Sequence, residues 1–336
     1  MSTRFTSVLA ATDLGTAGNN AVRRAALVAR AHGARLHIVH VLRSAAWRPR
    51  RGWFPAPSRS GLDTAQARAA LDRLAAEIAF AHGIGASVEV ALGDPLAVLQ
   101  QAAEHADLIV LGWSGRGRFR SALIGSTAAR LLAGGCGVPS RPRALLTVKT
   151  PVSGPYRRAL VPVDFTAASD AALWAADAMA RDAALHVFHA IAAPREAVLH
   201  AAHVPERLVR AARLRQEAGA CARMRRRAAR IGLDPTRMAF SADHGPAVRA
   251  TLHQARTLGV DLIVAGKREP TIVDSFAQGS VSRGVLSLCG CDMLIVPRPG
   301  GQTAERPAPL TVAPPLQVEV VAARTGTPLA PARSIA

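Results

Sequence analysis

The sequence predicts an α/β protein of two tandem domains, each a doubly wound parallel sheet of five strands. The first observation is an internal repeat: both halves contain an apolar strand ending in Asp, an alanine-rich helix, and a second strand carrying His-x-x-His. The second is that short apolar runs alternate with helical patterns, which favours parallel strands with right-handed crossovers. We expect domain 1 in residues 1–150, domain 2 in residues 155–298, and a disordered Pro/Ala-rich tail in residues 299–336.

Five strands are predicted in the first half from their apolar runs and from the small or polar residues between them. These strands are residues 5–12, 35–41, 86–92, 107–112 and 144–148. If the strand order is 3-2-1-4-5, the order reverses between strands 1 and 4. A ligand crevice then lies at this reversal, outside the carboxyl ends of the strands.

The second half repeats the polar landmarks of the first. The matching positions are Asp13 with Asp164, His37/His40 with His186/His189, Asp107 with Asp261, Gly112 with Gly266, and Gly125-Ser126 with Gly279-Ser280. Because Asp13 ends strand 1 and Gly112 ends strand 4, the predicted strand order places both at the crevice.

The stretch that follows strand 4 carries the clearest binding signal. An apolar run predicts a buried strand, and glycines alternating with arginines then lead into a helix start. These residues are Gly112, Gly115, Arg116, Gly117, Arg118, Arg120, Gly125, Ser126 and Thr127. Glycine lets backbone N–H groups approach a phosphate, and the first turn of a helix offers unpaired donors. The order strand, basic glycine loop, helix therefore predicts an anion site.

Charge and hydropathy limit the classes of partner and the cellular location that we expect. The net charge is +19 and the pI is about 11.6. Nearly all of the positive charge is arginine, which fits either attraction to an anionic partner or a solvated surface shaped by composition. No apolar run approaches the ~18 residues that span a bilayer. The N-terminus lacks the apolar region of a signal peptide. We expect a cytosolic protein without a membrane span.

The glycine spacing resembles the nucleotide signature of the universal stress protein family, here in a tandem two-domain arrangement. That signature is Gly, two residues, Gly, nine residues, then Gly followed by Ser or Thr. Gly112, Gly115 and Gly125-Ser126 match it without gaps. The Asp that ends strand 1, the LHIVHV strand and the Gly-Asp-Pro before helix 3 are also similar to the family. The resemblance covers residues 5–148 and 157–297.

The resemblance implies a Rossmann-like, adenine-nucleotide-binding fold, although some family members bind ATP and others do not. By this likeness Asp13 and Val41 contact the adenosine. The residues implied to hold ribose and phosphates are Gly112, Gly115, Gly125, Ser126 and Thr127. The implied cofactor is ATP, or ADP or AMP in its place. Mg²⁺ is the cation that could accompany the phosphates, near Asp13 or Ser126.

The second half departs from the signature at its central glycine. Glu269 stands there, and Asp274 adds a carboxylate to the same loop. Negative charge beside a phosphate is costly. The corresponding site, which we expect to be weak or empty, consists of Asp164, Gly266, Gly279 and Ser280. Because the fold tolerates loss of the central glycine here, Gly115 is better explained by a ligand than by a turn.

We interpret the chain as a stress-response protein that binds an adenine nucleotide in its N-terminal domain and acts by nucleotide-dependent interaction. The sequence contains no Walker A motif and no acid–base pair placed with a nucleophile, which predicts binding without turnover. A slow nucleotide hydrolase and a ligand-free interaction scaffold are the alternatives. Since single-domain family members often pair, the likeness implies an internal pseudo-dimer of the two halves, and a homodimer is also open.

Two groups of residues invite a metal interpretation. On a strand, positions i and i+3 point to opposite faces, so neither His37/His40 nor His186/His189 can share one ion, and we expect structural roles. Cys289-Gly-Cys291 could be a metal or redox half-site. No second Cys/His pair has ligand spacing, so we favour ordinary buried thiols and predict no metal site.

Two arginine-rich segments have no assigned role. Residues 43–60 combine arginines with aromatic side chains, which could stack on single-stranded nucleic acid or fold over the nucleotide. No recognised nucleic-acid module is present, so nucleic acid is not the partner we expect. Residues 206–230 predict a helix with arginines facing solvent or an acidic partner. Its predicted apolar side consists of Leu208, Ala212, Leu214 and Met224.

Overall fold

The computed structural model describes residues 4–42, 63–113, 143–192, 205–267 and 281–297. Within these ranges strands and helices alternate in both halves, and ten strands form a single sheet. No helix in the described ranges has the length and apolar character needed to cross a lipid bilayer.

The first half contributes five strands and three described helices. These are β1 (Ser7–Thr12), α1 (Thr16–His32), β2 (Arg35–Leu42), α2 (Thr64–His82), β3 (Ala86–Leu92), α3 (Pro95–Ala102), β4 (Leu108–Gly112) and β5 (Ala144–Val148). A 3₁₀ turn, Ala103–His105, follows α3. The predicted strand bounds hold to within one or two residues because each strand is a short apolar run between polar or small residues.

The second half repeats this succession with four described helices. These are β6 (Arg158–Pro162), α4 (Ala167–Met179), β7 (Ala184–Ile191), α5 (Glu206–Arg230), β8 (Met238–His244), α6 (Ala247–Leu258), β9 (Leu262–Lys267), α7 (Val281–Leu288) and β10 (Asp292–Pro297). A 3₁₀ turn, Pro235–Arg237, precedes β8.

Helices cover both faces of the sheet. On one face α1, α2, α4 and α5 pack into one continuous apolar core, in which alanines such as Ala21 and Ala25 of α1 are fully buried. On the other face, α3 covers the first half, and α6 and α7 cover the second half as a separate cluster. Small side chains let these helices approach the strands closely, so a core with few aromatics still excludes water.

Each half has the predicted strand order, but the two sheets are continuous. The full order is β3-β2-β1-β4-β5-β10-β9-β6-β7-β8. Within each half the strands are parallel, whereas β5 and β10 pair antiparallel, with Leu146 opposite Leu294. The two predicted five-stranded parallel sheets are present, and their joining through β5 and β10 is an addition that the sequence did not predict. An edge strand leaves a row of unpaired N–H and C=O groups, and here β5 and β10 pair these groups with each other.

The junction has the symmetry of a dimer inside one chain. Thr147 pairs with Met293 and Leu145 with Ile295 around the central pair of leucines. Since Ala144 and Asp292 open β5 and β10 at matching positions, exchanging the halves maps this register onto itself. The contact is thus isologous, as in a twofold dimer, and agrees with the internal pseudo-dimer implied by the repeat.

The repeated Asp before β4 and β9 has a structural role. The Asp107 carboxylate accepts hydrogen bonds from the backbone N–H groups of Thr6 and Ser7, at 2.9 and 3.2 Å. The Asp261 carboxylate accepts from the N–H groups of Arg157 and Arg158, at 2.8 and 3.0 Å. In the first half this Asp therefore ties the start of β1 to the start of β4. In the second half it ties the start of β6 to the start of β9.

The buried side of α5 differs from the prediction. Met224 is buried, but Leu208 and Leu214 are 54% and 59% exposed. Val209 and Ala228 complete the buried stripe instead. Both leucines therefore lie outside the buried stripe, and the choice of those leucines was wrong.

Candidate functional site

The carboxyl ends of β1 and β4 meet where the strand order of the first half reverses. β1 lies between β2 and β4 and pairs in parallel with both. Asp13 follows β1 directly, and Gly112 ends β4. Val41 lies near the carboxyl end of β2, half-buried against the apolar cluster on the α3 face. The structure brings these three predicted residues to one edge of the sheet.

Several predicted positions lie outside the described residues. They are Gly115, Gly125, Ser126 and Thr127 in the first half, Gly279 and Ser280 in the second half, the segment 43–60, and the tail 299–336. Their roles remain predictions from the sequence.

Asp13 lies in a tight turn between β1 and α1. Its Oδ1 accepts a hydrogen bond of 2.9 Å from the N–H of Gly15, and the residue is exposed. Leu14 has a positive φ of 60°, which is costly for a branched side chain. The Oγ1 of Thr12 accepts from the N–H of Leu14 at 2.9 Å and helps to hold this conformation. Backbone strain of this kind concentrates at functional sites.

Gly112 and Gly18 bring β4 and the first turn of α1 into close contact. A Cβ atom at Gly112 would lie 2.3 Å from the carbonyl oxygen of Ala17, and one at Gly18 would lie 2.7 Å from Asp13 Oδ1. In the second half, a Cβ atom at Gly266 would lie 2.3 Å from the carbonyl oxygen of Ala168. Packing therefore requires glycine at both strand ends, whether or not a ligand is also present.

The matching turn of the second half is tied by its own side chains. Asp164 Oδ1 accepts hydrogen bonds from the N–H of Thr166 at 3.1 Å, from its hydroxyl at 2.6 Å, and from the hydroxyl of Ser169. Ser169 Oγ accepts in turn from the N–H of Asp164 at 2.9 Å. Thr166 and Ser169 occupy the places of Gly15 and Gly18. Hydroxyls thus fill positions that have no side chain in the first half.

An aromatic residue adds to this difference. Phe165 has the same positive φ, 63°, as its counterpart Leu14. The centroid of its ring lies 4.6 Å from that of the His189 ring, and the guanidinium of Arg223, on α5, lies 3.9 Å from the Phe165 ring centroid. Cation–π contact of this kind stabilises a partly exposed aromatic. One residue of the arginine-rich helix is therefore used in packing beside the second turn.

Two of the four repeated histidines, His40 and His189, contact the turns after β1 and β6. His40 Nδ1 donates a hydrogen bond of 2.8 Å to the carbonyl oxygen of Thr12, and His189 Nδ1 donates one of 2.8 Å to that of Val163. His37 contacts Ser87 and Glu89 instead. No group of three or more potential metal ligands occurs among the described residues. His40 and His189 are positioning residues for the turns after β1 and β6.

Sequence reasoning identified the two aspartates but not the residues that distinguish their surroundings. The signal was present in the repeat, where Gly15 and Gly18 of the first half stand against Thr166 and Ser169 of the second. Small polar residues are common at helix starts, so this exchange is unremarkable until the hydrogen bonds to Asp164 are known.

The universal stress protein family model matches the chain twice, over residues 4–134 and 155–297. A universal stress protein from Archaeoglobus fulgidus DSM 4304 has a TM-score of 0.59 at 19% identity, covering 87% of this chain and 98% of its own. A putative universal stress protein from Pseudomonas aeruginosa UCBPP-PA14 has a TM-score of 0.55 at 20% identity, covering 87% of this chain and 93% of its own. At these identities the likeness shows the fold alone. No curated protein gives a significant match.

Proposed function

The chain belongs to the universal stress protein family, and we propose that its N-terminal half binds an adenine nucleotide at the carboxyl ends of β1 and β4. In this proposal Asp13 and Val41 face the adenosine. The residues that hold ribose and phosphates are Gly112, Gly115, Gly125, Ser126 and Thr127. The ligand is ATP or its di- or monophosphate, and the protein acts through nucleotide-dependent contacts with a partner.

The difference between Asp13 and Asp164 carries this proposal. Among the described residues, the Asp13 carboxylate accepts one hydrogen bond, from the backbone of Gly15. A carboxylate can accept several, so this exposed group keeps capacity for the hydroxyl and amino donors of a nucleoside. The Asp164 carboxylate instead accepts from the hydroxyls of Thr166 and Ser169. The first edge is therefore better suited to a ligand than the second.

The turn that carries Asp13 is held in place before any ligand arrives. His40 donates to the carbonyl oxygen of Thr12, and the Thr12 hydroxyl donates to Asn19 Oδ1 at 2.8 Å. These contacts anchor Thr12, two residues before the strained Leu14, to β2 and α1. A site that is already ordered loses less conformational entropy on binding, so this arrangement supports affinity for a small ligand.

The sequence beyond β4 supplies the countercharge that phosphates need. Arg116, Arg118 and Arg120 follow Gly112 within eight residues, and Gly115 leaves room for a phosphate near the backbone. The second half has Glu269 at the corresponding central position. Charge and shape thus favour the same half as the Asp13 turn does.

Identification of co-purified ligand tests the proposal. We expect mass spectrometry of small molecules released from the native chain to find an adenine nucleotide, at up to one per chain. Gly115→Glu copies the second half's own residue into the first and should abolish this release. Glu269→Gly, the reverse exchange, is the matched control and should leave the first site occupied. Thermal melts of each variant check that it is folded.

The two alternative functions, a slow nucleotide hydrolase and a ligand-free interaction scaffold, predict different results. A hydrolase would release inorganic phosphate from ATP at a rate that falls when Asp13 is changed to Asn. A ligand-free scaffold would show no thermal shift with millimolar ATP, ADP, AMP or cAMP, because a ligand stabilises only a protein that it binds. Absence of both ligand release and thermal shift would refute nucleotide binding.

A further inference from the structure

Cys289 and Cys291 lie between α7 and β10, on a turn that contributes none of the residues of the proposed nucleotide site. They are 8% and 9% exposed. Both line a cavity of about 580 Å³ that also borders the segment after β5. The cavity wall includes polar and charged residues: Thr150, Arg157, Arg256 and Asp261. The two cysteines therefore border a polar space as well as the apolar core of the second half.

Lys149 places a positive charge beside Cys289. Its Nζ lies 3.3 Å from Cys289 Sγ and donates hydrogen bonds to the carbonyl oxygens of Cys289 and Leu286. The same Nζ lies 4.0 Å from the ring centroid of Trp113. Two carbonyls and an aromatic face thus hold the ammonium in contact with the sulfur, in a chain whose only other lysine is Lys267.

The two thiols differ in acidity because they contact each other. A hydrogen bond from the Cys291 thiol, helped by the Lys149 charge and opposed by burial, lowers the pKa of Cys289 to about 6. The same contact, together with burial, raises the pKa of Cys291. Carbonyl oxygens of Cys291 and Leu286 lie 3.5 and 3.8 Å from Cys289 Sγ and favour its protonated form. The ammonium and the Cys291 thiol outweigh them.

We propose that Cys289 and Cys291 form a dithiol site that reduces small hydroperoxides reaching it through the cavity, with Cys289 as the attacking sulfur and Cys291 as the resolving one. A thiolate beside a fixed cation and open to a polar space is the arrangement in which cysteine reacts with peroxides. Gly290 lies between them with no atom within 4 Å of the place where its Cβ would be, so no neighbour packs against this side of the turn.

The reaction balances with hydrogen peroxide as the oxidant. The Cys289 thiolate attacks one peroxide oxygen, the O–O bond breaks, and hydroxide leaves and takes a proton to become water. Cys289 is then a sulfenic acid. The Cys291 sulfur attacks the Cys289 sulfur, the S–O bond breaks, and a second water leaves. Two thiols are oxidised to one disulfide and one peroxide is reduced to two waters.

Intact-mass analysis of the full chain after addition of hydrogen peroxide tests this. We expect the loss of two hydrogens, with peptide mapping placing the disulfide between Cys289 and Cys291. In Cys291→Ser the reaction should stop at sulfenic acid, which dimedone traps on Cys289. In Cys289→Ser no disulfide should form at this turn. Cys221→Ser is the control and should react as the native chain does.

The variant Lys149→Met tests whether the positive charge of Lys149 controls the reactivity of Cys289, because Met keeps a long side chain but carries no charge. The plot of peroxide consumption rate against pH should have its inflection near pH 6 in the native chain and at higher pH in Lys149→Met, with a several-fold slower rate at pH 6. Thermal melts confirm that each variant is folded. The proposal fails if peroxide oxidises Cys221 in preference, if the disulfide does not form, or if the pH profile is unchanged in folded Lys149→Met. Nucleotide binding is not needed for any of these results.

Discussion

The hydroxyl of Tyr156 donates a hydrogen bond of 2.9 Å to the fully buried carboxylate of Asp292. The same carboxylate accepts from the backbone N–H groups of Lys149 and Thr150 and from the Thr150 hydroxyl. Arg24 Nε, on α1, lies 3.4 Å from it, close enough for charge attraction but without hydrogen-bond geometry. Asp292 thus joins the first half, the connecting segment and the second half.

Replacing Asp292 by Ala should destabilise the chain by about 3–5 kcal/mol, because Arg24 and three donor residues lose their buried partner. Denaturant unfolding gives the change in free energy. Asp72→Ala removes an exposed helical ion pair with Arg68 and should change it by less than about 1 kcal/mol. A loss no larger than that of the control would mean that Asp292 does not hold the halves together.

Gly112→Ala and Gly266→Ala should each cost about 1–3 kcal/mol of unfolding free energy, since a methyl group would meet a backbone oxygen at 2.3 Å. Gly219→Ala is the control: it lies in α5, with no atom within 4 Å of its would-be Cβ. It should stabilise the chain by about 0.5–1 kcal/mol. Full stability of Gly266→Ala would show that the close approach of β9 to α4 is not the reason for that glycine.

Acid should destabilise the fold below about pH 6.5. Burial, helped by the charges of Arg181 and Arg4, lowers the pKa of His32, whose Nδ1 accepts a hydrogen bond from the N–H of Phe5. Burial and Arg158 likewise lower the pKa of His186. The unfolded chain then takes up protons first as the pH falls, so the stability present above about pH 6.5 is lost below it.

The contribution of His32 is measured from unfolding free energies between pH 5 and pH 7. His32→Gln keeps an acceptor for Phe5 but does not titrate, so the slope of free energy against pH should decrease by up to about 1.4 kcal/mol per unit. His253→Gln, on the exposed side of α6, controls for the loss of one histidine. An unchanged slope in His32→Gln would contradict this account.

The strands of the sheet could be predicted because they are short apolar runs and because the repeat contains two copies of each strand pattern. The joining of the two sheets could not be predicted. Leu145 and Leu294 are apolar, and an apolar edge strand can either pair with another strand or be covered by a helix. Leu214 was predicted to be buried because it is apolar, yet apolar residues are common on protein surfaces and Leu214 is 59% exposed. Asp13 was identified from the repeat and the family resemblance, but only its hydrogen bonds separate it from Asp164.

Calorimetric titration of ATP into the native chain, Asp13→Asn and Asp164→Asn tests the central claim most directly. We predict one nucleotide per native chain and the same stoichiometry and affinity in Asp164→Asn. Asp13→Asn should bind at least about tenfold more weakly, which corresponds to about 1.4 kcal/mol. Native affinity in Asp13→Asn, or loss of binding in Asp164→Asn alone, would contradict a site built on the turn after β1.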